Sequence, residues 1–226
     1  MTNRLNKAVK LLALVAAMAA ASAASAQTAG SWIGTLGANK ITPKVDSGDV
    51  SAPALPGTKT AVGSDTQPRF TIAYMYTDNI SAELDLGLPY KHDLSGAGAI
   101  QGTGKLGTSE VLPPTAFVQY RFLQANALVR PYVGLGITYA DFQKETGSGE
   151  LTALLNPGGP GVTFKLDNKW AASYQIGSTV KINQRWFADV NVIKTMLKTT
   201  AHYSTGQTQG VTLNPLAVAV SIGYHF

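Results

Sequence analysis

Charged side chains occur at alternate positions in several segments that are otherwise apolar. Glu83 and Asp85 lie two residues apart, and Arg121, Arg130 and Asp189 occupy similar surroundings further along the chain. Carboxylates beside guanidinium groups could act as the general acid and base of an active site. The same groups could form an ion-paired network without catalytic function, because charges removed from water need partners. The network is the favoured interpretation, so we expect no catalytic residue among these five.

Two other groups of residues could support chemistry. His202 and Ser204 form a His-x-Ser pattern that is similar to the one in outer-membrane lipid A deacylases. A serine nucleophile needs an imidazole within hydrogen-bond reach and a carboxylate that orients it, and no acidic residue adjoins this pair in the sequence. His92 and Asp93 could contact a metal, but two ligands do not make a site. We therefore expect no enzyme activity, no metal and no cofactor, with a lipid acyl hydrolase as a remote alternative.

The charged residues share their segments with large apolar residues at the intervening positions. This two-residue period is typical of a strand with two different faces. The final stretch shows it best, because large apolar residues occupy its even positions from Leu216 and it closes on Tyr224-x-Phe226. Eight such segments are predicted along the chain: Ser31–Ile41, Pro68–Thr77, Ile80–Tyr90, Leu112–Leu123, Leu128–Phe142, Lys169–Ile182, Trp186–Tyr203 and Val211–Phe226.

The connections between these segments alternate in length. Tight turns follow the second, fourth and sixth segments, whereas the other connections are long or polar, and Glu150–Leu155 could form one helical turn within them. This alternation is typical of bacterial outer-membrane barrels, and a sheet in lipid must close because every backbone group needs a partner. We predict an all-β fold, an eight-stranded antiparallel transmembrane β-barrel with long extracellular loops and short periplasmic turns. The long connections are Thr42–Gln67, Lys91–Glu110, Gln143–Leu166 and Ser204–Gly210.

The beginning of the chain predicts the compartment. Residues 1–26 have a basic start, an apolar stretch and the small-x-small sequence Ala24-Ser25-Ala26, which together indicate a secretory signal peptide. Residues 27–226 then form one barrel domain in the cell outer membrane, in contact with outer-membrane lipid. The whole chain has 18 basic and 13 acidic residues, and three of the basic residues belong to the signal peptide. The remainder has no basic run, so we expect no nucleic-acid partner.

Several short motifs, in this order and at these spacings, resemble those of the OmpW family of outer-membrane proteins. The resemblance implies an eight-stranded barrel with a narrow, largely hydrophobic channel that is reached from outside. It also implies passive uptake of small hydrophobic solutes, with sideways release into the membrane through an opening in the wall as part of the same expectation. The motifs are Tyr74–Leu84, Lys91–Asp93, Leu112–Thr115, Arg130–Gly136 and Asn214–Phe226.

The same resemblance implies roles for particular residues. Family channels are constricted by apolar side chains, for which Trp170 and Leu55 are the candidates in this chain. Alternation places Trp170 on the face predicted to contact lipid, so either a bulge turns it inward or it belongs to an aromatic girdle. Tyr224 and Phe226 look like the terminal signal that the barrel assembly machinery recognises, although His225 replaces the basic residue usual before the final aromatic.

A different class of function is also compatible with these features. The long connections of a barrel could bind partners outside the cell, in which case the protein would be structural or receptor-like. Uptake of a solute and binding through the loops can be separated only by experiment.

Overall fold

The computed structural model describes residues 27–226, so the predicted signal peptide lies outside the described residues. Within them the chain is almost entirely β-structure, and no helix is long and apolar enough to cross a membrane. The elements are β1 (Trp32–Thr42), β2 (Asp46–Ser47), β3 (Thr58–Val62), β4 (Asp65–Met75), β5 (Ile80–Gly87), β6 (Tyr90–Gly98), β7 (Lys105–Leu112), β8 (Thr115–Arg121), β9 (Val129–Gly147), α1 (Gly149–Leu155), β10 (Phe164–Leu166), β11 (Lys169–Lys181), β12 (Trp186–Thr195), β13 (Lys198–Tyr203), β14 (Thr208–Thr212) and β15 (Leu216–His225).

Eight of these strands form a closed antiparallel barrel, which confirms the predicted fold. Their order around the barrel is β1, β4, β5, β8, β9, β11, β12 and β15. The last strand pairs with the first over the register from Ile33↔His225 to Thr42↔Leu216. This pairing satisfies the backbone of both end strands, so the barrel has no free edge.

The outer wall of the barrel is apolar and the lumen is not. Successive side chains of a strand point to opposite faces, and most of the large aliphatic residues of the barrel strands point outward, although Ile33, Ile41 and Ile193 are buried inside. Aromatic pairs surround the end with the short turns, where Trp32 lies 5.0 Å from Tyr74 and Trp186 lies 4.9 Å from Tyr224 between ring centroids. An apolar band bordered by aromatic rings is the surface that a bilayer requires.

The long connections are not the loops that the sequence predicts. They contain two sheets that continue the wall beyond the barrel, one formed by β3, β6, β7 and the end of β9, the other by β10, β13, β14 and β2. We call these seven added strands, together with α1, the extension. β6–β7 and β13–β14 are hairpins, whereas β3, β2 and β10 pair with strands far away in the chain, so these short segments form strands without a local signal. The predicted helical turn is confirmed as α1, whose first turn is capped by Ser148.

The lumen is so narrow that large side chains need small ones opposite them. Three buried aromatic rings each face a glycine at the register-paired position of the next strand. A Cβ atom on any of these glycines would overlap with the facing ring, so the pairs fix the width of the barrel. The pairs are Phe117–Gly136, Tyr132–Gly177 and Phe187–Gly223.

We expect Gly223→Ala to destabilise the barrel by about 1 to 3 kcal/mol, because the added methyl group must displace the Phe187 ring in a filled lumen. Urea unfolding in detergent micelles measures the change. Gly210→Ala is the matched control, since a Cβ atom at this position in β14 meets nothing within 4 Å. Equal stability of the two variants would contradict the proposed limit on lumen width.

Candidate functional site

An apolar cavity of about 120 Å³ lies inside the protein at the end with the long connections. Its wall is shared between the outer parts of the barrel strands and the extension, whose inward side chains are apolar where those of the barrel are polar. Representative lining residues are Ile41, Val111, Phe142, Phe164, Ile193 and Leu213.

One side of the cavity floor is a row of hydroxyl groups on four neighbouring strands. Thr115 bonds to Thr138 at 2.7 Å, Thr138 to Ser173 at 2.6 Å, and Ser173 to Thr195 at 2.8 Å between oxygen atoms. We call these four residues the hydroxyl belt. Each of its hydroxyls has a protein partner, so the belt is satisfied without a ligand.

Below the belt, a buried arginine holds the acidic residues of the lumen together. Arg69 is 2% exposed, its Nε donates to Asp85 Oδ1 at 2.8 Å, and its Nη2 lies 3.7 Å from Glu83 Oε1. Its Nη1 donates to Asn191 Oδ1 at 3.2 Å. We call Arg69, Glu83, Asp85 and Asp189 the charged plug. Because these groups bridge the lumen from β4 and β5 to β12, the barrel is closed to a solute moving along its axis.

Neutral neighbours donate hydrogen bonds to Asp189 and Glu83 of the plug. Asp189 accepts from Tyr132 Oη at 2.9 Å and from Asn191 Nδ2 at 2.7 Å. Glu83 accepts from Gln175 Nε2 at 3.3 Å. A buried charge is tolerated only when its partners are in place, so the plug requires all of these strands in register.

The predicted charge network is divided between two levels of the lumen. All five predicted residues are buried, but within residues 27–226 neither Arg121 nor Arg130 forms an ion pair. Arg121 donates to Gln119 Oε1 at 2.7 Å, and Arg130 donates to the Gln27 carbonyl at 2.9 Å. These two arginines close the short-turn end through neutral partners.

Arg69 is the functional residue that the sequence analysis missed. It falls at an odd position of the second predicted strand, on the same face as Thr71, so the alternation already directed it inward. Without it the predicted network pairs the wrong charges, because the acidic residues bind Arg69 and not the arginines of β8 and β9.

Neither predicted constriction residue lies in the lumen. Trp170 is 68% exposed on the outer wall and its ring centroid lies 4.8 Å from that of Tyr139. The pairing of β11 with β9 is regular from Lys169 onward, so no bulge turns this side chain inward. Leu55 is 62% exposed and does not line the cavity. The lumen is narrowed by the plug instead.

Tyr224 and Phe226 both belong to the aromatic cluster at the short-turn end. The Phe226 N–H donates to the Trp32 carbonyl at 2.9 Å, and the Tyr224 hydroxyl accepts from Arg185 Nη1 at 3.0 Å. The terminal residues therefore fasten β15 to β1 at the seam of the barrel. Their recognition by an assembly machinery stays a prediction.

The sequence profile of the OmpW family matches residues 28–226 of this chain. The chain belongs to the OmpW family. Outer membrane protein W of Vibrio cholerae serotype O1 is 37% identical over 172 residues, which are 74% of this chain and 76% of that protein. The crystal structure of outer membrane protein OprG from Pseudomonas aeruginosa superposes with a TM-score of 0.79 at 27% identity, over 89% of this chain and 99% of that one.

A more distant relative carries a name that bears on function. The dibenzothiophene metabolism operon protein PahQ of Pseudomonas aeruginosa is 26% identical over 175 residues, which are 76% of this chain and 77% of that protein. These relatives place this OmpW-family chain in the outer membrane.

The His-x-Ser pattern of this OmpW-family chain lies in the extension. Asp167 Oδ1 lies 3.3 Å from His202 Nε2, and the ion pair with Lys169 lowers the pKa of that carboxyl. Ser204 Oγ accepts from the Thr163 N–H at 3.1 Å and, within residues 27–226, forms no hydrogen bond with His202. The arrangement therefore lacks the contact from serine to imidazole that activates a nucleophile.

His92 lines the cavity, whereas Asp93, the next residue of β6, points to the opposite face of the strand. The His92 Nδ1 lies 2.7 Å from the Gly63 carbonyl, to which it donates. Burial lowers its pKa from the usual value, so the ring is neutral at physiological pH and the cavity wall carries no charge there. Within residues 27–226, no group of three or more His, Asp or Glu side chains is placed to hold a metal ion.

We expect Arg69→Met to lower the free energy of unfolding by about 3 to 5 kcal/mol, because it leaves buried carboxylates without their cation. Urea unfolding in detergent micelles measures the loss. Arg185→Met is the control, since Arg185 is exposed at a short turn and contacts Tyr224 in water. If both substitutions had the same small effect, the plug would not be a source of stability.

Proposed function

We propose that this OmpW-family barrel admits small hydrophobic molecules from outside the cell and passes them into the outer membrane. The observation that carries the proposal is the apolar cavity above a charged floor. Transfer of a hydrophobic solute from water into such a cavity lowers the free energy of the system. In this arrangement the extension faces the outside of the cell and collects the solute, while the barrel anchors the protein in the bilayer.

The exit follows from the position of the plug. A hydrophobic solute cannot pass Arg69 and its carboxylates without breaking their contacts, so we place the exit in the wall beside the cavity. Pairing between β5 and β8 ends at Asp85↔Thr115, and the next residues of the wall, Pro113 and Pro114, have no N–H group to donate. Pro113 lines the cavity, which supports an opening of the wall at this point.

The name of one relative is compatible with this proposal. PahQ is named after a dibenzothiophene metabolism operon, and dibenzothiophene is a small hydrophobic aromatic compound. We propose that the present chain handles solutes of the same general character.

We expect Ala201→Trp to reduce uptake of a radiolabelled aromatic hydrocarbon at least several-fold, because Ala201 is buried on the cavity wall and an indole ring would fill the space. Uptake is measured in cells that lack the native protein and express each variant at equal, folded amounts. Ala172→Trp is the matched control, since Ala172 points outward from β11 into the apolar band. This control should match the unsubstituted protein.

Two results would contradict the proposal. Uptake equal to that of cells without the protein would remove the transport function altogether. Equal uptake by both tryptophan variants and the unsubstituted protein would mean that the solute does not pass through this cavity. In either case the structural or receptor-like function of the extension would become the leading hypothesis.

We also propose that Tyr224 and Phe226 direct barrel assembly. Phe226→Ala is expected to lower the amount of folded barrel, measured by its heat-modifiable migration on a gel, because it removes the terminal ring that packs against Tyr224 and Gly34 at the seam, while the backbone N–H to the Trp32 carbonyl is kept. Phe122→Ala is the control, since Phe122 is an exposed girdle aromatic away from the seam. Equal folded amounts for both variants would contradict a special role of the terminal aromatic.

A further inference from the structure

The cavity floor contains a polar side chain that the protein leaves incompletely bonded. Asn39 is 6% exposed and lies on β1 one inward position beyond Gly37, which pairs with Arg69, so it stands at the junction of plug and cavity. Its Nδ2 donates to the Tyr90 hydroxyl at 2.9 Å. Its Oδ1 has no hydrogen-bond partner within residues 27–226. Such an atom in an apolar environment costs free energy, so a partner supplied by a ligand is favoured.

Tyr90 supplies the complementary group at the same place. Its hydroxyl is the acceptor in the bond with Asn39, and within residues 27–226 its own hydrogen has no acceptor. An available O–H donor therefore adjoins an available carbonyl acceptor, and both residues line the cavity. If the amide is turned over, Nδ2 becomes the unpartnered atom, and a hydroxyl oxygen can accept from it equally well.

A second unpartnered group lies on the adjoining wall. Ser109 on β7 is 4% exposed, lines the cavity, and its Oγ has no partner within residues 27–226. Its register partner is His92, two positions along β6 from Tyr90. The unpartnered polar groups that line the cavity thus lie on the side made by β1, β6 and β7, while the hydroxyl belt is already satisfied.

The size and charge of the cavity restrict what could bind these groups. A volume of about 120 Å³ is close to that of a cavity of about 150 Å³ that holds benzene in another protein. Asp85 also lines the floor, and its charge is already neutralised by Arg69. A ligand with a carboxylate or a cationic head would lose its hydration in this cavity without gaining a free counter-ion. A neutral group that both donates and accepts is therefore favoured.

We propose that the cavity binds small monohydric alcohols, phenols above all, with the ligand hydroxyl held between Asn39 and Tyr90. The hydrocarbon part then lies against the apolar wall formed by the barrel and the extension. This inference rests on the proposed uptake function. It names a preferred solute for that function, a hydroxylated hydrocarbon rather than an unsubstituted one.

The test compares two ligands of nearly equal shape, para-fluorophenol and para-fluorotoluene, by fluorine NMR titration of the full barrel in lipid nanodiscs. Empty nanodiscs give the partition of each ligand into lipid, which is subtracted. We expect the phenol to bind about 3- to 10-fold more tightly than the toluene, the range that one neutral hydrogen bond provides. Asn39→Leu should abolish this preference while changing toluene binding little.

Tyr90→Phe is the second variant, because it removes only one oxygen and keeps the ring in place should Asn39→Leu fail to fold. It should reduce the preference in the same direction. Ser109→Ala tests the adjoining hydroxyl and should lower phenol binding less than Asn39→Leu does. Ser178→Ala is its control, because Ser178 also has an unpartnered buried hydroxyl within residues 27–226 but does not line the cavity.

The outcomes separate this inference from the proposed function. If para-fluorotoluene binds no better than to empty nanodiscs, the cavity does not take hydrophobic solutes and both proposals fail. If toluene binding is present and is blocked by Ala201→Trp, but the phenol shows no preference, only the hydroxyl site is overturned. A preference that persists in both Asn39→Leu and Tyr90→Phe would overturn it as well.

Discussion

A barrel of eight strands has a lumen about as wide as the side chains that point into it, and this limit determines what the lumen contains. Large rings fit only opposite glycines, as Phe187 does opposite Gly223. Charged groups fit only where partners reach them, as Arg69 on β4 reaches Glu83 and Asp85 on the adjoining strand β5. This limit on the width of the lumen does not apply to the extension, because its two sheets lie beyond the closed part of the wall and leave space between them.

Toward the cavity the inward face of several barrel strands changes from polar to apolar, while the alternation of side chains does not change. On β12 the inward residues are Asp189 and Asn191 within the barrel and then Ile193 toward the cavity. On β1 the change occurs between Asn39 and Ile41. An unbroken strand thus connects a polar, closed region to an apolar, open one, and Asn39, the last polar inward residue of β1 before the cavity, has an amide oxygen without a hydrogen-bond partner within residues 27–226.

The sequence was sufficient for the barrel because its signals are local. The two-residue period gave the eight strands, and it placed Glu83, Asp85, Arg121, Arg130 and Asp189 inward. It could not give the distant neutral partners of these charges, such as the Gln27 carbonyl that accepts from Arg130. Arg69 was overlooked although the alternation directs it inward and its carboxylates lie on the adjoining strand of the same hairpin. The extension was missed because strands such as β3 and β6 are joined by pairing across a long separation in Gly-rich sequence. For Trp170 the local signal was correct, because alternation placed this side chain on the outer wall, where it is found. Only the family resemblance argued for a position in the lumen.

The division of labour between barrel and extension has an evolutionary consequence. The plug is built wholly from β4, β5 and β12, whereas much of the cavity wall comes from β6, β7, β10, β13 and β14. Substitutions in the extension can therefore alter the chemistry of the cavity without disturbing the ion pairs that keep the barrel shut. Such a protein can acquire new ligands by drift in its outer sheets while its membrane anchor stays under a separate and stricter selection.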